Sequence, residues 1–255
     1  MAVLRRYVGV IAGIAAVLIV WLQLPEDWPI SAPEGDLNTY VTWAFWILFL
    51  VTVVILFWDR NNPDATTVEI EGPAFARFLF SNTRAGLFWL PIRLFLGFSW
   101  LTSGWGKATG EGWLDGGAAL LGYWQNAVTI PEEGRPPISY DWYRDFIQYL
   151  IDSGAQDWFA YVVVFGEIAV GIGLILGLLT GFAAFFGSLM NMSFMLAGSA
   201  STNPVLFTMA VGLMLAWRVA GWYGVDRWLL PLLGTPWRAR VQERGPGSGE
   251  APLQT

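Results

Sequence analysis

Four side chains able to do chemistry stand inside long apolar runs of this sequence. Arg93 lies in the run 87–106, Glu167 in 158–179, Asn191 in 181–197 and Arg218 in 205–223. A charge or amide in such a run is costly to desolvate. It faces a bundle interior or a pathway rather than lipid. Lys107 closes a stripe on the first of these runs, where Arg93, Gly97, Trp100, Gly104 and Lys107 recur at spacings of four, three, four and three. That spacing puts all five on one helical face. The two glycines let another helix backbone come close.

Each residue has a structural and a functional reading. The Arg93–Lys107 stripe is either a packing seam, with Arg93 about 9 Å from the inner edge by helical rise and able to snorkel, or a pair of cations holding an anion or polar headgroup. Glu167 is either a buried structural ion pair that fixes helix register, or a proton acceptor and donor beside a redox or transport site. Its available partners are Arg93, Lys107 and Arg218. Asn191 is an interhelical hydrogen-bonding group or a ligand contact. Arg218 snorkels to phosphate or joins the site. The turn Ala197–Pro204 carries Ser199, Ser201 and Thr202, and Asn203 and Pro204 suit a helix start.

The rest of the inventory is short. The 255 residues include no cysteine and no histidine. Thiolate nucleophiles, disulfides, Fe–S ligation and the usual haem ligand are therefore unavailable, and neither those cofactors nor a metal is expected. Phosphate loops, dinucleotide fingerprints and nucleophilic triads do not occur. The net charge of −6 argues against a nucleic-acid partner. A chain so poor in catalytic side chains points to a subunit rather than a self-sufficient enzyme.

The elements that position these residues follow from hydropathy. Hydrophobic residues make up 55% and charged residues 13%, about half the charge of an average soluble domain, so lipid is the expected solvent. Two further apolar runs, 8–24 and 40–58, bring the total to six, each near the length needed to cross ~30 Å of hydrocarbon. The first follows Arg5 and Arg6 without a small-x-small cleavage site and reads as a retained helix. Arg5, Arg6, Arg60, Arg77, Arg84, Arg227, Arg238, Arg240 and Arg244 fall on one side, against Lys107, Arg135 and Arg144 on the other. The positive side is cytoplasmic, so both termini are expected there, in the plasma membrane. Trp and Tyr near the helix ends suit an interfacial belt.

The expected fold is an all-α, polytopic membrane helical bundle. It comprises an N-terminal hairpin (1–58), a cytoplasmic linker (59–82), a four-helix membrane domain (83–234) and a disordered tail (235–255). Within the long outer loop, Tyr140, Tyr143, Phe146, Ile147, Leu150 and their neighbours predict an amphipathic helix near 139–152, lying on the outer surface or capping the bundle.

Four segments in order resemble the DoxX/DoxD family: R-x3-G-x6-G-x2-K at Arg93–Lys107, E-x3-G-x5-G at Glu167–Gly177, N-M-x-F-M-L-A-G-S-A-S-T-N-P at Asn191–Pro204, and A-G-x-Y-G-x-D at Ala220–Asp226. The resemblance covers about 85–234 and leaves the hairpin outside. It implies a four-helix membrane core and, for the better-understood relatives, electron transfer from thiosulfate to a quinone. On that basis Glu167 is the expected catalytic group, and Arg93, Trp100, Lys107, Asn191 and Arg218 the expected quinone-binding set, with Trp105 and Phe165 offering aromatic walls. The electron donor is then expected on a second oxidoreductase subunit. A non-catalytic scaffold or assembly component of another membrane redox complex is the alternative, and a small transporter or lipid-handling protein is the third reading.

Overall fold

The computed structural model describes residues 2–22, 36–59 and 72–235. The expected disordered tail beyond Thr235 and half of the expected linker, residues 60–71, lie outside the described residues. The chain divides into two compact units, Met1–Glu71 and Gly72–Thr255.

In the first unit, α1 (Ala2–Leu22) packs on α2 (Asp36–Asp59). Ala15, Thr52 and Ile55 are buried, while Val17, Trp43, Ile47 and Leu50 face outward. The Thr52 hydroxyl donates to Leu48 O at 2.9 Å, a local bond that spares a polar group in an apolar helix.

The second unit is built on an antiparallel set of helices. A short helix, α3 (Ala74–Ser81), falls where the sequence suggests linker; it is followed by a single 3₁₀ turn and α4 (Gly86–Thr109). The Trp89 indole donates to Leu79 O at 2.8 Å, and Phe80 lies against the Trp89 ring. α5 (Ala118–Val128) and α6 (Asp141–Asp152) come next, then α7 (Gln156–Leu176) and α8 (Thr180–Leu196). α7 stops at Gly177, whose φ of 65° is left-handed; Leu178 N–H then donates to Gly173 O at 2.8 Å. Glycine takes that conformation without a Cβ penalty. The expected sixth run is broken: α9 (Asn203–Leu215) ends at the buried Ala216, and α10 (Trp217–Ala220) and α11 (Asp226–Leu232) follow as separate turns.

The bundle has two ends. At the Arg93 end lie α3, the start of α4, the α7–α8 turn, α10 and α11. At the Lys107 end lie α5, α6 and the α8–α9 turn. Trp89, Leu96, Trp100, Leu174, Leu213 and Val219 form one core among α4, α7, α8, α9 and α10. Leu120, Trp124, Ile138, Tyr143, Ile147 and Leu150 form a second core at the Lys107 end. There α6 caps the bundle, with the Tyr143 hydroxyl donating to Ser193 O at 3.0 Å. Burial pushes the Tyr143 phenol above its ordinary value, and the bond to Ser193 offsets part of that.

Between the ends the surface is inverted. Phe95, Phe98, Phe165, Ile172, Phe185 and Leu189 are exposed, while Arg93, Glu167, Thr180, Ser188, Asn191 and Asp226 are buried. A bundle solvated by hydrocarbon has this pattern. By length and composition two helices, Thr83–Thr109 and Gln156–Leu176, suffice to cross a membrane, and α8, α9 and parts of α1 and α2 are shorter apolar helices.

Candidate functional site

The glycine stripe on α4 brings α7 into backbone contact. A Cβ on Gly104 would lie 2.9 Å from Glu167 Cβ, and one on Gly171 would lie 2.6 Å from Leu101 N. This approach sets Glu167 against the last two turns of α4. Lys107, one turn beyond Gly104, reaches it there. The Lys107 ammonium donates to both Glu167 carboxylate oxygens, at 3.0 and 2.8 Å, and to Ser103 Oγ at 2.7 Å. The three N–H donors of an ammonium are thereby used. The Trp113 ring lies 5.3 Å from Nζ, within cation–π range. Glu167 is 0% exposed and the Lys107 side chain 21%. The carboxylate is therefore sealed in the bundle, and its counter-ion touches the surface at one end. Of the three cations available to Glu167, the fold selects Lys107.

Arg93 occupies the opposite end of the same helix face. It is 1% exposed. Its Nη2 donates to Tyr223 O at 3.0 Å, while Nε and Nη1 have no partner among the described residues. The guanidinium lies against Gly177 and Gly224, where any Cβ would collide with it. Close by, the buried Asp226 accepts from Leu179 N–H at 2.6 Å and Thr180 N–H at 2.8 Å. It caps the first turn of α8 and holds Leu179 at a φ of 47°. Asp226 interacts electrostatically with Arg93.

Trp100 and Asn191 sit between the two charged positions. Trp100 packs in the central core, its indole nitrogen 3.0 Å from where a Cβ on Gly187 would be. Asn191, one turn further along α8, is 0% exposed. The Trp100 indole N–H and both amide atoms of Asn191 have no hydrogen-bond partner among the described residues. Arg218 does not join the set: it is exposed on α10, over the Trp217 ring at 5.3 Å. Trp105 and Phe165 face outward.

The expected quinone-binding residues thus divide among two buried charge sites, a central orphaned pair and the surface. A separate crevice of about 680 Å³ runs between α7 and α8 beneath α5 and α6. Tyr123, Trp124, Tyr143, Phe159 and Phe194 line its Lys107 end, and Leu178 and Phe182 its other end. Its α7 wall is Gly166, Ala169 and Val170, beside but not including Glu167. The crevice is apolar and largely aromatic along its Lys107 end. Arg93, Trp100, Lys107, Asn191 and Arg218 do not line it.

Sequence reasoning passed over Ser103, Trp113 and α5, and gave Tyr223 no part in holding Arg93. Ser103 stands one helical turn before Lys107, a spacing that brings side chains together. Asp226 ends a motif already noted, yet its capping role needs the α7–α8 turn to be seen in space.

Neither a curated protein nor a solved structure matches the chain. Residues 88–200 match the model of the DoxX family, a segment that takes in nearly all of α4 together with α5, α6, α7 and α8. The apolar exterior around a polar interior agrees with the membrane setting of that family, and residues 88–200 form a DoxX domain within a membrane protein of that type.

Proposed function

We propose that this DoxX protein is a multi-pass plasma-membrane subunit of a thiosulfate- or sulfur-linked quinone oxidoreductase. In this reading all six apolar helices span the bilayer and both termini are cytoplasmic. Its support is the charge asymmetry of the second unit. Arg77, Arg84, Arg218 and Arg227 sit at the Arg93 end, while Lys107, Arg135 and Arg144 sit at the other among Glu111, Asp115, Glu132, Glu133, Asp141, Asp145, Asp152 and Asp157. The basic end belongs inside.

The observation that carries the quinone reading is the aromatic α7–α8 crevice. The tail lies along Phe182 and Phe186, and the headgroup lies beneath α5 and α6, near the Tyr123 and Tyr143 hydroxyls and Ser193. Reducing a quinone to the quinol takes two electrons and two protons. This chain has no cysteine or histidine to carry the electrons, so they come from a second subunit that oxidises the sulfur compound. Glu167 is the proton-handling group, being a buried carboxylate on the helix that forms the crevice wall, with Lys107 connecting it to the surface.

Thiosulfate-dependent quinone reduction in native membranes tests the reading. Deletion of the gene abolishes it, and wild-type protein restores it. Ala169→Trp, which fills the crevice from an exposed position, does not restore it. Glu167→Gln lowers kcat while the KM for quinone stays near wild type. Full activity in the deletion strain overturns the proposal, and normal turnover of folded Glu167→Gln removes Glu167 from it.

The completeness of the Lys107–Glu167 pair favours a second reading, a scaffold for another membrane redox complex. Every polar atom of that pair is satisfied within the bundle, as a purely structural staple requires. Deletion then lowers the abundance of a stoichiometric partner, and unchanged partner levels count against it.

A further inference from the structure

A second groove, of about 670 Å³, opens at the Arg93 end between the first turns of α8 and the segment from α9 to α11. It adjoins the α7–α8 crevice along Phe182 and Phe186, which line both. Phe185, Met214, Trp217, Leu230 and Leu233 make its walls apolar. Its floor is polar. Thr180, fully buried, lines the groove, and its hydroxyl has no hydrogen-bond partner among the described residues. Asp226 also lines it, but both carboxylate oxygens already accept from Leu179 and Thr180 N–H.

Positive charge lies beside the groove, on a residue that does not itself line it. Trp217 forms part of the wall, and the exposed Arg218 guanidinium stacks over its ring at 5.3 Å. Apart from the buried Asp226, the described residues at this end of the second unit include no acid, whereas Arg77, Arg84, Arg218 and Arg227 all lie there. An apolar trough leading to an unpartnered hydroxyl and a stacked arginine matches an acyl chain followed by a glycerol ester and a phosphate. Guanidinium groups pair with phosphate bidentately.

We propose that this groove binds one anionic phospholipid, with an acyl chain along Phe182, Phe185 and Leu230, an ester oxygen accepting from Thr180, and the phosphate on Arg218. The groove shares the Phe182 and Phe186 rings with the crevice but has its own polar end at Thr180 and Arg218, and the proposal does not depend on the quinone reading.

Native mass spectrometry of the full chain in detergent, titrated with phosphatidylglycerol or phosphatidylcholine of matched chains, tests it. One phosphatidylglycerol is retained about fivefold more tightly than phosphatidylcholine, as expected for one surface arginine acting on an anionic headgroup. Arg218→Gln removes that preference, and Thr180→Val weakens both lipids. Arg218 is exposed, so its variant keeps the wild-type melting profile, and the profile is recorded as a control. Equal retention of the two lipids by the wild type overturns the proposal. So does an undiminished preference in Arg218→Gln, or unchanged binding in Thr180→Val.

Discussion

Removing Lys107 destabilises the protein more than removing the charge of Glu167. The two partners differ in burial, 21% exposed for the lysine side chain and 0% for the glutamate. Lys107→Met leaves a carboxylate without its counter-ion at a fully buried position, a loss of about 3–5 kcal/mol for a broken buried pair. Glu167→Gln leaves an ammonium that still reaches Ser103 and Trp113 and can extend toward the surface at the end of α4. The amide oxygen of Gln also still accepts from it. That loss is about 1–2 kcal/mol, near that of one charged hydrogen bond. The double variant Lys107→Met/Glu167→Gln removes both charges and costs about 1–2 kcal/mol. The single costs sum to about 4–7 kcal/mol, so the two sites couple by about 3–5 kcal/mol in a double-mutant cycle. Unfolding in mixed micelles, followed by the fluorescence of the 16 tryptophans, measures all four proteins. Equal costs for the two single variants, or additive behaviour of the double, refute the reasoning.

Four further outcomes follow from the geometry. Asp226→Ala, which uncaps α8 at Leu179 and Thr180, costs about 2 kcal/mol in the same unfolding assay. Gly171→Leu forces a side chain into the 2.6 Å approach to Leu101 N and yields no folded monomer on size-exclusion chromatography, whereas Gly106→Ala, which meets nothing within 4 Å, elutes normally. Asn191→Leu removes two orphaned amide atoms and leaves the melting temperature unchanged or raised; a fall shows that the amide is solvated or bound. Tyr143 holds its proton more tightly folded than unfolded, so its contribution to stability is complete below the ordinary tyrosine value of 10.0 and is lost as pH rises through the higher folded value. Tyr143→Phe flattens that alkaline decline in a pH series of melts, and an identical decline in the variant counts against the assignment.

What the sequence made legible was periodic. The Arg93–Lys107 stripe could be read because a helical face repeats, and Gly97 and Gly104 do meet α7 closely, at Ile175 and Ile168. The amphipathic stripe near 139–152 could be read because α6 buries Tyr143, Ile147 and Leu150 at helical spacing. What stayed hidden was set by tertiary geometry. No spacing distinguishes Lys107 from Arg93 as the partner of Glu167, since both share one face of α4 and only the height of α7 against that face decides. α5 begins after Gly117 in a left-handed conformation, packed against Gln156 O, a contact that joins distant parts of the chain. The run 205–223 reads as one helix because its hydropathy is continuous, yet the chain turns at Ala216, where Trp217 packs against Gly181.

The pairing of charges constrains where chemistry can take place. Arg93 and Lys107 stand 14 residues apart on α4, about 21 Å by helical rise. Lys107 is ion-paired with Glu167, while Arg93 donates to Tyr223 O and feels the nearby Asp226 carboxylate only electrostatically. Between them the axis is filled by Leu96, Leu174, Ala184 and Leu213, all fully buried. A proton or ion moved along that axis would cross apolar packing relieved among the described residues by the Trp100 indole, the Asn191 amide and the Ser188 hydroxyl, and desolvation of a charge there costs far more than such neutral groups return. The bundle axis is therefore a poor conduit. Access from the bilayer lies on the flanks, where the α7–α8 crevice and the groove at the Arg93 end offer apolar walls and polar ends. In the proposed quinone reading the substrate therefore enters sideways from the membrane, and variants that fill the flanks lower quinone reduction more than variants that neutralise the axis.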